Sequence, residues 1–187
     1  MPSFVPERVQ DQLHRRQPSL RTPEEVIRLR DYKIIRIFPV NMAGFFQGGN
    51  KLRKPTQEEI IKFCHANTVI DFLEVEVVPT PDGEARLELC ADSRHANLYS
   101  MAHGGVLTTM ADTAMGAKCL ALGKKVVTIS LTMEFMHATM TGTKIMTNAK
   151  VLHDGRQTMV CECEIIDAQG KLHAKASATF FVTGLFD

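Results

Sequence analysis

What this sequence lacks narrows its class before any motif is read. No run approaches the roughly 18 consecutive apolar residues of a membrane span, and the N-terminus has no apolar stretch of the kind a secretory signal needs. Lys and Arg number 22 against 21 Asp and Glu, so there is no bulk electrostatic case for nucleic acid or a membrane surface as partner. The five cysteines, Cys64, Cys90, Cys119, Cys161 and Cys163, are odd in number and include no Cys-x-x-Cys pair, which argues against a disulfide framework and a zinc knuckle. A reducing, cytoplasmic setting fits, and no metal site is expected. Tryptophan is absent too, which leaves ten phenylalanines and ten methionines to fill the core and line any pocket with adaptable surface.

The length of 187 residues suits one domain with an extension. Residues 1 to 54 are polar and interrupted by Pro2, Pro6, Pro18, Pro23 and Pro39, then by Gly44, Gly48 and Gly49, and read as the extension; residues 55 to 187 read as the domain. Arg8, Arg15, Arg16 and Arg21 hint at an organelle transit peptide, but Glu7 and Asp11 break the pattern. Thr22-Pro23-Glu24-Glu25 has the capping order that starts a short helix, and residues 32 to 40 suit a short strand or arm. Gly48-Gly49-Asn50-Lys51 lacks the spacing of a phosphate loop and reads as an ordinary loop.

The domain opens with a second capping sequence, Thr56-Gln57-Glu58-Glu59, leading a helix toward Asn67. Strands are expected over residues 72 to 78 and 85 to 90, with Pro81-Asp82-Gly83 as the turn between them. From Gly105 to Leu122 the apolar residues Val106, Leu107, Met110, Ala114, Ala117 and Ala121 recur at helical spacing, and Gly123 is placed to stop the helix. Four strands with period-two alternation follow. In the first, Val127, Ile129, Leu131, Met133 and Phe135 face one way, and Thr128, Ser130, Thr132 and Glu134 the other. Thr141-Gly142, Asp154-Gly155 and Gln169-Gly170 supply turns, giving an antiparallel meander. Two strands, one long helix and four strands predict an α+β domain in which the sheet wraps closely around a helix made narrow by Ala111, Ala114, Gly116 and Ala117. That is the hotdog layout.

The chemistry concentrates between residues 97 and 112. Gly104 and Gly105 stand where the long helix begins, so unpaired amides and the positive helix end are available to a developing oxyanion; taken alone, the pair also fits a glycine cap with no ligand. Asp112 interrupts a helix of apolar and small residues, where an aspartate has poor propensity and a burial cost, unless it faces solvent. The run Asn97-Leu98-Tyr99-Ser100-Met101-Ala102-His103-Gly104-Gly105, continuing to Asp112, resembles the motif of the phenylacetic-acid-degradation type of hotdog thioesterases, akin to 4-hydroxybenzoyl-CoA thioesterases, with the likeness extending over about residues 69 to 183.

The resemblance implies an acyl-CoA thioesterase whose coenzyme A belongs to the substrate, with no separate cofactor. It assigns Asp112 as nucleophile or base, Gly104 or Gly105 as the amide that polarises the carbonyl, Asn97 as carbonyl support or loop organiser, and Thr128 as a seat for water. It makes His103 a hydrogen-bonding residue of the turn or a proton carrier. Lys124, Lys125 and Arg156 are candidates for the phosphates because they fall in turns near strand ends. Ser100 departs from the pattern, which commonly has glycine there. Alternatives within reach are a hotdog dehydratase or hydratase and a non-catalytic acyl-CoA-binding protein. Gly104 and Asp112 lie eight residues apart, about 12 Å along one helix. One thioester carbon cannot touch both, so the expected unit is a homodimer or a dimer of dimers.

Overall fold

The computed structural model describes residues 53–186. The helix expected at Thr22, the arm over residues 32 to 40, the loop at Gly48 and all but the last two residues of the extension lie outside the described residues. Helix α1 (Gln57–His65) begins as its capping sequence dictates: the Glu59 amide donates to Thr56 Oγ1 at 3.3 Å, and the Thr56 amide donates to the Glu59 carboxylate at 2.8 Å. Ile60 and Cys64, one turn apart, are buried.

The strand expected over residues 72 to 78 starts later, because a second helix, α2 (Thr68–Phe72), ends at Phe72 and the turn after it puts Glu74 at φ +49°. Asn67 decides this: its Oδ1 accepts the Val69 amide at 3.2 Å, capping a turn that buries Ile70. The cap and the burial override the strand propensity of Thr68, Val69 and Ile70. Strand β1 is therefore Glu76–Pro79, paired with β2 (Ala85–Cys90).

Helix α3 (Gly104–Ala121) is 18 residues long, about 27 Å at the usual rise. Its Met110, Ala111, Ala114, Met115 and Cys119 are all buried, and it packs on β2 and on the four strands that follow, β3 (Lys124–Phe135), β4 (Lys144–Asp154), β5 (Thr158–Asp167) and β6 (Leu172–Leu185). Small residues at 111, 114 and 117 are what let an antiparallel sheet approach the helix on its broad face. From the sheet, Ile145, Met159, Cys161, Cys163, Ile165, Ala174, Ala176 and Phe180 meet it, each at most 2% exposed.

The strand order is β1-β2-β4-β5-β6-β3, all antiparallel, so the sheet departs from the expected meander. Helix α3 carries the chain across the sheet between β2 and β3. Strand β3 therefore lands on the far edge beside β6, and β4 returns to pair with β2. The expected alternation of β3 also changes partway. Thr128 pairs with Phe180 but Ser130 pairs with Thr179, so Ile129 is an extra residue, a bulge. Before the bulge Val126 and Thr128 stand opposite the inward-facing Val182 and Phe180; after it Leu131 and Met133 stand opposite Ala178 and Ala176. Thr128 is thus turned toward the helix, not away from it. Val127, Ile129 and Phe135 remain exposed on this edge strand.

Between β2 and α3 the loop at residues 97 to 101 is closed by Asn97. Its Oδ1 accepts the amides of Tyr99 at 2.8 Å and Met101 at 3.3 Å, and its own amide donates to Met101 O at 2.7 Å. So tight a loop forces Ser100 into the left-handed region, φ +58°, where glycine is at home. A left-handed non-glycine residue costs about 1–2 kcal/mol, against about 0.5–1 kcal/mol for the entropy of glycine. Ser100→Gly is expected to raise unfolding stability by about 0.5–1 kcal/mol, measured by urea denaturation with an unchanged m-value.

Candidate active site

The bulge in β3 and the helix together build the first half of the site. Thr128 Oγ1 donates to Asp112 Oδ1 at 2.8 Å, joining the strand to the middle of α3. Asp112 is half-buried, at one end of a cavity of about 150 Å³ whose walls include Phe63, Asn67, Gly116, Leu120 and Phe180. Lys124 and Lys125 stand at the start of β3 and line the same cavity. Lys124 is ion-paired with Asp154 and donates to Gly155 O at 2.9 Å, while the Lys125 ammonium lies 5.8 Å from the Phe186 ring centre. Arg156 is exposed in the β4–β5 turn, beside Asp154 and Gly155 but not in the cavity wall.

The second half lies at the start of α3. His103 is the N-cap, and its Nδ1 accepts the Gly105 amide at 2.9 Å. That bond takes one of the two glycine amides expected to meet a carbonyl, and the Val106 amide is taken by His103 O at 2.9 Å. The Gly104 amide finds no acceptor among the described residues and lines a cavity of about 370 Å³ with Asn97, Leu107, Phe135 and Thr139. A Cβ built on Gly104 would come within 2.9 Å of the Phe135 ring, so this cavity has little room for a side chain there. Asn97 has its Oδ1 committed to the loop, which leaves its side-chain NH₂ as the donor it can present.

The residues expected to act together thus fall into two groups. Asp112, Thr128, Lys124 and Lys125 share one cavity; Asn97 and Gly104 share another, with His103 capping the helix beside it. Eight helical residues separate the two groups.

Several residues that sequence reading passes over hold the glycine turn in place. The Ala102 amide donates to Thr139 O and the His103 amide to His95 O, each at 2.7 Å. Both carbonyls belong to buried residues tied down from behind. His95 Nε2 donates to Leu73 O at 2.8 Å, and its Nδ1 accepts the Asp92 amide at 3.0 Å. His173 lies with Nδ1 2.9 Å from Thr139 Oγ1 and donates from Nε2 to the Asp167 carboxylate at 3.2 Å. No local signal marked them: the alternation of β6 puts His173 on its polar side with Lys175, although it is buried, and nothing local marks Thr139 or Asp167.

Residues 99–174 match the family described as the thioesterase superfamily. A protein of Saccharolobus solfataricus that carries an esterase name is 30% identical over 127 residues, covering 67% of this chain and 89% of that protein. The acyl-coenzyme A thioesterase PaaI of Escherichia coli is 29% identical over 99 residues, 53% of this chain and 71% of PaaI. Among solved structures, a hypothetical thioesterase of Streptococcus pneumoniae crystallised with coenzyme A matches with a TM-score of 0.62 and 28% identity, over 68% of this chain and 99% of the other. Two further structures of that protein, each with a TM-score of 0.55, carry alanine in place of an aspartate and in place of a threonine sixteen positions later. The chain belongs to the thioesterase superfamily, and its fold is the hotdog fold that the strand and helix order predicts.

Asp167 anchors the turn from the greatest sequence distance, and it carries a pH dependence. The Lys171 amide, joined by His173 and the Gln169 amide, holds its carboxyl below the ordinary carboxylate range. A depressed carboxyl contributes stability above its unfolded pKa, about 3.9, and loses that contribution as pH falls through the folded value. Asp167→Asn is therefore expected to lower the urea midpoint at pH 6, with the deficit against wild type shrinking as pH drops below about 4. A deficit that stays constant from pH 6 to pH 3 would remove Asp167 from the acid response.

Proposed function

We propose that this chain is an acyl-CoA thioesterase that hydrolyses the thioester to free acid and coenzyme A, with Asp112 as the reacting carboxylate. The observation that carries this is the Thr128 to Asp112 hydrogen bond in a cavity that the helix and β3 share, with Lys124 and Lys125 in its wall. The aspartate and threonine altered in the pneumococcal thioesterase stand sixteen positions apart, as Asp112 and Thr128 do, which supports the same pair as functional here. The E. coli relative's activity and the coenzyme A in the pneumococcal structure support the substrate class.

Because Thr128 donates its proton to Asp112, its oxygen lone pairs remain to accept a hydrogen bond from water, and that water lies beside the carboxylate. Asp112 takes a proton from it as it attacks the thioester carbon. The carbonyl oxygen becomes an oxyanion held by the Gly104 amide at the positive end of α3, assisted by the Asn97 side-chain NH₂. Cleavage of the carbon–sulfur bond then releases the thiolate, which takes up a proton. His103 serves by occupying the Gly105 amide and fixing the turn. Lys124, Lys125 and Arg156 supply positive charge for the coenzyme phosphates. The setting is a reducing one, in which Cys119 and Cys161, their sulfurs 3.5 Å apart in the core, stay thiols.

The two groups of residues cannot serve one carbonyl within one chain, so the site is composite: Gly104 and Asn97 from one protomer, Asp112 and Thr128 from its partner. The exposed edge of β3, with Val127 and Ile129 outward, supplies a surface for the twofold contact that a long unpaired edge otherwise leaves open.

Asp112→Ala is expected to lower kcat by about 10²–10⁴ with the fold retained. Thr128→Val should lower it by about tenfold, the loss of one hydrogen bond to a charged group. Thiol release from an acyl-CoA panel measures both, and a folded Asp112→Ala protein with wild-type turnover would end the assignment. Composite sites are tested by refolding Asp112→Ala together with Gly104→Pro, which removes the amide and whose Cβ displaces the Phe135 ring. A mixed dimer holds one intact site, so about a quarter of wild-type activity should return from two inactive parents. No recovery in dimers shown by mass to be mixed would place the site within one chain.

A further inference from the structure

Leu98 is the most exposed large apolar side chain among the described residues, at 98%, and Tyr99 follows it at 76%. Loop tips usually carry small or polar residues, and a pliant loop with large apolar ones can fold them back onto its own domain. This loop has no such freedom. Asn97 Oδ1 accepts the amides of Tyr99 and Met101, Ser100 is held at φ +58°, and Met101 is bridged to Met140. A strained, tied-down backbone thus holds two apolar side chains out in water, and strain of this kind gathers where a protein meets a partner or ligand.

From this we infer that the tip Leu98-Tyr99 is the anchor by which each protomer holds a second copy of this chain, seated at the mouth of the partner's Asp112 cavity. This rests on the composite site proposed above. If Asn97 of one protomer and Asp112 of the other serve one thioester carbonyl, both touch the same few atoms. Consecutive Cα atoms are about 3.8 Å apart, so the backbone of residues 98 and 99 lies within about 8 Å of Asn97. Their side chains then reach the surface around the partner's Asp112, where the half-exposed Phe63 lines the same cavity and offers apolar contact. The tip is also continuous with the open edge of β3: Phe135 at its end, Met136 after it and Met140 across from Met101 are each about half exposed. A second copy is the occupant that brings an Asp112 to this loop, and a twofold contact uses the tip twice.

The chain has no tryptophan, so Tyr99→Trp in the full chain places a single indole at the tip. In dimers confirmed by mass, acrylamide is expected to quench that indole about a third as strongly as it quenches N-acetyltryptophanamide, with the protection lost as dilution dissociates the dimer. Leu98→Ser removes a side chain that its own chain leaves in water, so far-UV circular dichroism should not change. Its dimer dissociation constant, measured by sedimentation, should rise by about 10²–10⁴, since each twofold contact loses two buried leucines. Thiol release by this variant should fall on dilution in step with the loss of dimer, at concentrations where wild type holds its rate. Either an indole quenched like the free amide in confirmed dimers or an unchanged dissociation constant for Leu98→Ser overturns the inference and leaves the thioesterase reading standing. A wild-type monomer that hydrolyses acyl-CoA overturns the inference and the composite site together. A wild type that behaves as expected in both assembly measurements but releases thiol from no acyl-CoA upholds the anchor and removes the thioesterase reading.

Discussion

The burial of α3 against a sheet that wraps it is the constraint on which the rest of this structure depends. A helix gripped by β2 through β6 can show the sheet only small or flexible side chains, and Ala111, Ala114, Ala117, Met110 and Met115 meet that demand. Every departure from it is then conspicuous. Asp112 is polar where burial is costly, and Gly116 leaves space where close packing is the rule. Both departures open on one cavity, and both are supported from the opposite side by β3. The helix thus acts as scaffold along most of its length and as site where its packing is relaxed.

Strand β3 answers the helix through a single inserted residue. Were Ile129 paired in the ladder and not bulged out, the strand would keep one alternation throughout, and Thr128 would stand on the outer face with Ser130 and Thr132. The bulge lets the strand present Val126 and Thr128 to the helix at one end and Leu131 and Met133 at the other. Bulges recur beside functional sites because they re-aim one side chain while the rest of the ladder stays paired. Here the re-aimed side chain is the hydroxyl that meets Asp112.

Much of this was legible in the amino-acid order. The capping box at Thr56 and Glu59, the helix after His103, and the strands β4, β5 and β6 follow from local periodicity and turn residues, and so appear where the sequence puts them. Only a motif put Asp112 together with the glycine turn, and within one chain the two line separate cavities. Three things were not legible. Asn67 starts a helix in a segment whose β-branched residues favour strand, because a cap acts through one hydrogen bond that propensity does not register. The pairing of β3 with β6 depends on where a long helix delivers the chain, a non-local fact. The bulge at Ile129 leaves no trace in a pattern that alternates without fault, since the extra residue is itself apolar. The same limit hid Thr139 and Asp167, whose roles exist only once β5, β6 and the turn are folded together.

The two carbonyls that accept the Ala102 and His103 amides belong to buried residues held by buried histidines, and this has a dynamic consequence. Such a turn has no inexpensive way to open alone: releasing it breaks His95 from Leu73 or His173 from Thr139, and those bonds join the end of α2 and the β5–β6 hairpin to the rest of the domain. The turn therefore belongs to the same cooperative unit as the core, so its motions are confined to excursions in which much of the domain opens at once. Gly104 stands at the edge of that rigid unit with an amide that no described residue accepts, a donor held in place by the folding of the domain rather than by a flexible loop.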